Sequence, residues 1–121
     1  MVGALFDTNI LIDHLNAIPE ARKEIERFEN RAISIITWME VMAGASADLI
    51  EPTRRFLEGF NVIALDDGIA NRAVVLRRAH RIKLPDAVIW ATAQTTDRLF
   101  VTRNTKDFPP DDPGVREPYT L

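Results

Sequence analysis

Four acidic residues in separate segments of the sequence are the side chains best placed for joint chemistry. Asp7 follows a short apolar run, Glu40 and Asp86 lie near the starts of helical patterns, and Asp107 follows a later apolar run. If the apolar runs are parallel strands, all four acids lie along the edge formed by the strands' carboxyl ends, where open α/β sheets bind ligands. Carboxylates gathered there repel each other unless a cation offsets their charge or some take up protons.

The chemistry of such a cluster follows from its oxygen ligands. The chain has no cysteine, and we expect its two histidines, His14 and His80, to be surface or packing residues. Oxygen ligands alone select a hard ion, Mg²⁺ or Mn²⁺, over zinc. Such an ion binds a phosphate oxygen, activates water and stabilises an in-line displacement, so that no protein nucleophile is needed.

Each acid also has an ordinary structural explanation. Asp7 and Asp107 suit turns or caps. Asp86 follows Pro85 at a helix start, where the helix dipole and unpaired N–H groups favour acids. Glu40 stands three residues after Thr37, the spacing of a capping box. Four neutral residues beside the acids either hold the carboxylates and metal-bound waters or simply form turns; they are Thr8, Asn9, Thr102 and Asn104.

Apolar runs alternate with helical patterns along the chain, which predicts an α/β fold with a small parallel sheet of four or five strands and helices on both faces. Strands are predicted at 2–6, 32–36, 61–65 and 99–102, with a short edge strand near 115–117 in an otherwise irregular tail, 109–121. Helices are predicted at 10–15, 20–28, 37–44, 47–58, 69–80 and 87–96. Pro52 should break or kink its helix, and the inward side of the 69–80 helix should carry Ala70, Ala73, Val74 and Leu76.

Length and composition predict a single soluble domain over residues 1–121. The chain is 46% hydrophobic and 27% charged, as in ordinary globular proteins. We expect no secretory leader and no membrane span, and therefore a cytoplasmic protein. The net charge of −3 argues against bulk attraction to nucleic acid, so contact with nucleic acid requires a local basic patch or a bound cation.

Four motifs in a fixed order carry a family resemblance. They are Asp7-Thr8-Asn9, Thr37-Trp38-Met39-Glu40, Leu84-Pro85-Asp86-Ala87, and Thr102-Arg103-Asn104 followed by Asp107-Phe108. Over residues 2 to 108 the sequence resembles the PIN domain, and more narrowly the VapC-type toxins of type II toxin–antitoxin systems. The resemblance implies a dimeric, Mg²⁺- or Mn²⁺-dependent endoribonuclease that a cognate antitoxin holds inactive by covering the acidic groove.

The resemblance also implies a role for each acid. Asp7, Glu40, Asp86 and Asp107 match the family's acidic quartet, with Asp7 and Asp86 as the direct metal ligands. Family members differ in which position after the fourth strand supplies the last acid. Because Asn104 occupies one of those positions, whether Asn104 or Asp107 lies nearer the ion stays open.

Basic residues near the acids are candidates for RNA contacts. Arg81, Lys83 and Arg103 border the predicted edge, where contacts with phosphates would position an RNA strand. The wider basic stretch from 72 to 83 is equally well explained as a solvated helix face. Trp38 and Trp90 lie among apolar neighbours, so we expect packing in the core or a subunit interface rather than stacking on bases.

Two alternatives compete with the ribonuclease hypothesis. A receiver-like phosphoacceptor domain also places acids and Mg²⁺ at the edge of a parallel sheet, and it would use Asp66 or Asp67 with a lysine such as Lys106. A non-catalytic interaction domain would use the acids only as helix caps, and it predicts no stabilisation by divalent ions.

Overall fold

A computed structural model describes residues 3–121, so Val2 of the predicted first strand lies outside the described residues. The strands are β1 (Ala4–Phe6), β2 (Arg31–Ser34), β3 (Asn61–Ile63), β4 (Leu99–Val101) and β5 (Val115–Arg116). The helices are α1 (Thr8–Leu15), α2 (Pro19–Glu26), α3 (Ile35–Gly44), α4 (Ile50–Leu57), α5 (Asp67–His80) and α6 (Leu84–Thr95), with a short 3₁₀ helix at Ala47–Leu49. Among these residues no helix is both long and apolar enough to cross a bilayer.

The strands form one parallel sheet in the order β3-β2-β1-β4-β5. This confirms the predicted small parallel sheet, including its short fifth strand at the edge. The two central strands, β1 and β4, are paired so that Phe6 lies opposite Val101. The residues that follow them, Asp7 and Thr102, are therefore neighbours at the carboxyl edge of the sheet.

Two hydrophobic cores lie on opposite faces of the sheet. One contains Leu5 and Phe100 and is covered by α5 and α6. The other contains Phe6 and Val101 and is covered by α1 to α4. Side chains of successive strand residues point to opposite faces, so a short, wholly apolar strand serves both cores.

Polar contacts attach the edge strand β5 to α2. Glu24 is buried and accepts two hydrogen bonds from Arg116, from Nε at 2.6 Å and from Nη2 at 3.0 Å. Nε of Arg27 lies 3.2 Å from the same carboxylate. The buried charge is thus paired, as a buried carboxylate must be to avoid a large desolvation cost.

The start of α3 differs from the prediction. Ile35 and Ile36 are helical, although their β-branched side chains suggested a longer second strand. Ser34 caps the helix by accepting a 3.0 Å hydrogen bond from the N–H of Ile36. Thr37 is buried one turn inside the helix, so the proposed capping box of Thr37 and Glu40 is wrong, and Glu40 is not accounted for by capping.

Several other boundaries also differ. The third strand ends at Ile63, and α6 begins at Leu84 because Pro85 fits the first helical turn, where no N–H partner is needed. The predicted 47–58 helix is divided into the 3₁₀ helix and α4, with Pro52 in the first turn of α4. On α5, Ala73 and Leu76 are buried as predicted, whereas Ala70 and Val74 are exposed.

Candidate active site

Asp7 is a buried carboxylate held by three donors. Its Oδ1 accepts a 2.8 Å hydrogen bond from the N–H of Thr8. Its Oδ2 accepts from Oγ1 of Thr102 at 2.7 Å and from Nδ2 of Asn9 at 3.2 Å. Asp7 therefore caps α1, which was its ordinary structural explanation in the sequence. It also presents an oriented carboxylate at the carboxyl edge of the sheet.

Glu40 reaches the same edge from α3. Its Oε1 accepts a 2.7 Å hydrogen bond from Oγ1 of Thr8, and that hydroxyl lies 3.0 Å from the hydroxyl of Thr37. Because a hydroxyl carries one proton, Thr8 donates to Glu40 and accepts from Thr37. The buried Thr37 thus orients the carboxylate of Glu40 through Thr8.

Asp86 and Asp107 approach from the other side of the edge. Asp86 is half-buried in the first turn of α6. Asp107 lies in the loop after β4, where its Oδ2 accepts a 2.9 Å hydrogen bond from Nδ2 of Asn104 and its N–H donates to Oδ1 of the same amide at 3.2 Å. The charge of Asp107 raises the pKa of Asp86, so the two carboxylates are within electrostatic range.

An open cleft of about 350 Å³ joins most of these groups. Its lining residues are Asp7, Thr8, Asn9, Ile12, Asp13, Glu40, Asp86, Arg103 and Asn104. Three predicted acids therefore share one cleft, while Asp107 is outside its lining and is hydrogen-bonded to Asn104. Arg81 and Lys83 are exposed and outside this lining, although Lys83 is near enough for its charge to oppose the rise in the pKa of Asp86.

The electrostatics of the cleft are those of crowded carboxylates. The pKa of Asp7 is raised to about 6, mainly by burial and also by the charges of Asp86 and Glu40, while the bonds from Thr102 and Thr8 oppose the shift. The pKa of Asp86 is also raised, first by burial and then by the charges of Asp107 and Glu40. A cation in the cleft would offset both the repulsion and the cost of burial.

The donor set fits a hard divalent ion. Among the residues from Gly3 onward, no three acidic or histidine side chains lie close enough to enclose a metal as they stand. This open arrangement suits Mg²⁺, which binds proteins through one or two carboxylates and keeps several of its waters. Asp7 and Asp86 would supply the carboxylates, and Glu40 and Asn104 would form hydrogen bonds with the waters of the ion.

Sequence reasoning missed an ion pair in the lining of the cleft, in which the carboxylate of Asp13 is buried. Asp13, on α1, accepts two hydrogen bonds from Arg103, from Nε at 2.5 Å and from Nη2 at 2.9 Å, and a third from the hydroxyl of Tyr119 at 2.7 Å. The signal was its spacing: Asp13 lies four residues after Asn9, on the same face of α1. Tyr119, in the proline-rich tail, gave no such signal.

The histidines and tryptophans have packing roles, as predicted. His14 stacks on Phe56 with ring centroids 4.5 Å apart, and His80 contacts Trp90 at 4.9 Å. Trp90 is fully buried in the core, and Trp38 packs at the edge of the other core.

Fold and cleft together define an α/β protein with an acidic site at the carboxyl edge of a parallel sheet. A model of the PIN domain family matches residues 4–109. Ribonuclease VapC10 from Mycobacterium tuberculosis is 33% identical to this chain over 113 residues, which cover 87% of this chain and 85% of that protein. The chain therefore belongs to the PIN domain family and, within it, to the VapC-type members, as the sequence motifs indicated.

Solved structures agree with this assignment. A toxin-antitoxin complex from Klebsiella pneumoniae contains a chain 49% identical to this one, with a TM-score of 0.92 and coverage of 98% of this chain and 99% of that chain. FitAcB from Neisseria gonorrhoeae has the same fold at 22% identity, with a TM-score of 0.80 over 98% of this chain and 99% of that chain.

Proposed function

We propose that this chain is a Mg²⁺- or Mn²⁺-dependent endoribonuclease and the toxin of a type II toxin–antitoxin module. The observation that carries the proposal is the convergence of Asp7 and Asp86 on one cleft at the carboxyl edge of the sheet, from positions 79 residues apart in the chain. Family membership supports the activity, since a 33% identical relative is a ribonuclease.

The residues of the cleft have distinct roles in this mechanism. When bound, the ion supplies activation of water and stabilisation of charge on the phosphate. Asp7, fixed by Thr102, Asn9 and Thr8, and Asp86, fixed on the first turn of α6, hold the ion. Glu40, oriented by Thr8, accepts a proton or hydrogen bond from water at the mouth of the cleft. Asn104 orients Asp107, whose charge adds to the negative field on Asp86.

Cleavage of a fluorescently labelled RNA tests the proposal. We expect the purified protein to cut RNA with added Mg²⁺ or Mn²⁺ and to stop when the ions are chelated. Asp86→Asn should abolish cleavage. The matched control is Asp67→Asn, since Asp67 is likewise an acid in a first helical turn, at the start of α5 and away from the cleft. Wild-type protein that is inactive with both ions, or Asp86→Asn protein that is fully active, would contradict the proposal.

The receiver-like alternative is disfavoured by the sheet. Asp66 caps α5 by accepting a 2.8 Å hydrogen bond from the N–H of Ile69. It follows β3, which lies at the edge of the sheet and is separated from β1 by β2. An acid after the third strand is therefore not beside Asp7, as that alternative requires.

Calorimetric titration separates the enzyme from a non-catalytic interaction domain. Mn²⁺ should bind the wild-type protein and not the Asp86→Ala variant, and it should raise the unfolding temperature of the wild type only. If neither protein responds to Mn²⁺, the acids do not form a metal site, which would contradict the enzyme.

An apolar groove next to the acidic cleft supports a protein partner, which we propose is the cognate antitoxin. Ile12 lines both the cleft and the groove, and the groove is also lined by Leu15, Val41, Leu49 and Pro52. A segment that lies in the groove would continue over the acids. The 49% identical chain belongs to a toxin-antitoxin complex.

Coexpression with the product of the gene immediately upstream tests this partner. Leu15 is 42% exposed, so Leu15→Glu should fold, keep its ribonuclease activity and lose inhibition by that protein. The control, Val74→Glu, makes the same type of change on α5, at a residue 51% exposed. Equal inhibition of both variants would contradict this placement.

We further propose that the protein acts as a homodimer in the cytoplasm. Light scattering of the purified protein would test whether it is a dimer.

A further inference from the structure

Arg103 is the one cation that lines the acidic cleft among residues 3–121. It immediately follows Thr102, the residue that holds Asp7, and its N–H donates a 3.3 Å hydrogen bond to Oδ1 of Asn9. The bidentate pair with Asp13 uses Nε and Nη2, so Nη1 is left outside that pair. The side chain keeps 29% of its surface exposed, at the cleft.

Asp13, the side-chain partner of Arg103, is itself held in place by Tyr119. Asp13 is buried on α1, and its Oδ2 receives both Nε of Arg103 and the hydroxyl of Tyr119. Tyr119 packs against the core under α1 to α4, so its ring is anchored independently of its hydroxyl. Residues from α1, the β4 loop and the C-terminal tail therefore determine the position of one guanidinium group.

We propose that Asp13 and Tyr119 are positioning residues that hold the guanidinium of Arg103 at the cleft, where it binds a phosphate of the RNA backbone next to the one being cleaved. The inference rests on the proposed ribonuclease function. A guanidinium held by a carboxylate on one edge still offers donors on its other edge, and the planar fork suits phosphate. Because the guanidinium is fixed before the RNA binds, binding does not incur the loss of side-chain entropy that a mobile arginine would incur.

Asp13→Asn distinguishes an effect of net charge at the cleft from an effect of the position of the Arg103 guanidinium, because the two predict opposite changes in RNA binding. The substitution removes a negative charge beside the cleft while leaving the positive charge of Arg103, so charge alone predicts tighter RNA binding. If position matters, the loosened guanidinium binds phosphate less well, and KM rises about tenfold with kcat nearly unchanged. The matched control is Asp111→Asn, the same change at an exposed residue away from the cleft.

Tyr119→Phe provides a conservative second test, since it keeps the ring and removes only the donor to Asp13. We expect KM for a short RNA to rise about threefold to tenfold, with kcat within about twofold of the wild type. Arg103→Gln should raise KM further and lower the slope of log KM against log salt concentration by about one, as expected for the loss of one phosphate contact.

These outcomes distinguish failure of the positioning role from failure of the ribonuclease activity on which it rests. If the wild type cleaves RNA and both Asp13→Asn and Tyr119→Phe have wild-type KM at temperatures where they are folded, the network is only structural and the positioning role is wrong. If Asp13→Asn lowers KM, charge rather than position governs binding, which also overturns the inference. If the wild type cleaves no RNA with either ion, the proposed function fails, and this inference fails with it.

Discussion

Oγ1 of Thr102 donates a 2.7 Å hydrogen bond to Oδ2 of Asp7, which joins two residues 95 positions apart at the ends of β4 and β1. Thr102 is fully buried, and its hydroxyl also accepts a 2.9 Å hydrogen bond from the N–H of Asn104. One side chain therefore fixes both the buried carboxylate and the start of the loop that carries Asn104 and Asp107.

Replacing Thr102 with valine should impair cleavage by about 10- to 100-fold, because Asp7 loses a donor that orients it. The free energy of unfolding should fall by about 1–3 kcal/mol, since the N–H of Asn104 loses its buried acceptor. Steady-state kinetics and urea denaturation measure the two effects. Thr102→Ser keeps the hydroxyl and should retain most of the activity; a serine variant as impaired as the valine variant would argue against the hydrogen bond.

Asp7→Asn should abolish cleavage while the protein stays folded. The neutral amide avoids the cost of burying a charged carboxylate, whose pKa is raised to about 6 by burial. The free energy of unfolding at neutral pH without metal should therefore be unchanged or higher. Circular dichroism and thermal denaturation check the fold, and an RNA assay checks the activity. Cleavage at the wild-type rate would remove Asp7 from the mechanism.

Tyr119 is the single tyrosine of the chain, so ultraviolet absorbance reports its ionisation alone. Burial and the hydrogen bond to Asp13 raise its pKa well above the ordinary value of 10.0. The neutral phenol is the form that bonds Asp13, so this contribution to stability is fully present below the unfolded pKa and is lost as the pH rises through the folded pKa. Asp13→Asn should lower the pKa of Tyr119; an unchanged alkaline titration would contradict the contact.

Ser34→Ala should destabilise the protein by about 1 kcal/mol, because α3 loses the side-chain oxygen that bonds the N–H of Ile36. Ser46→Ala is a matched control, since Ser46 precedes the 3₁₀ helix without a side-chain capping bond. Urea denaturation of the two variants should show a clear loss for Ser34→Ala and little change for Ser46→Ala. Equal effects would contradict the capping role.

The parallel sheet and its carboxyl edge were predictable because both depend on local patterns. Wholly apolar strands, helix punctuation and the acid after β1 were enough to place Asp7 and Asp86 on the same edge. The helix start at Ile35 was not predictable from propensity, because Ile35 and Ile36 are β-branched, whereas the structure begins a helix there with Ser34 as its cap.

The ion pair of Asp13 with Arg103 escaped prediction for a different reason. Its partners come from α1, the β4 loop and the tail, and their meeting depends on how the tail returns past β5. Sequence spacing places Asp13 on the same face as Asn9, but it does not specify what a proline-rich tail contacts. Tertiary contacts between irregular segments leave no periodic signal in sequence.

The attachment of the tail has a consequence for how the molecule loses activity. Arg116 and Tyr119, three residues apart, connect β5 and the tail to carboxylates on α2 and α1. Detachment of this short segment would remove one partner from the buried acid of each helix and loosen the guanidinium at the cleft, while the other four strands stay paired. Local opening at the sheet's last strand would then weaken RNA binding before global unfolding, and amide exchange in Val115 and Arg116 would track that loss.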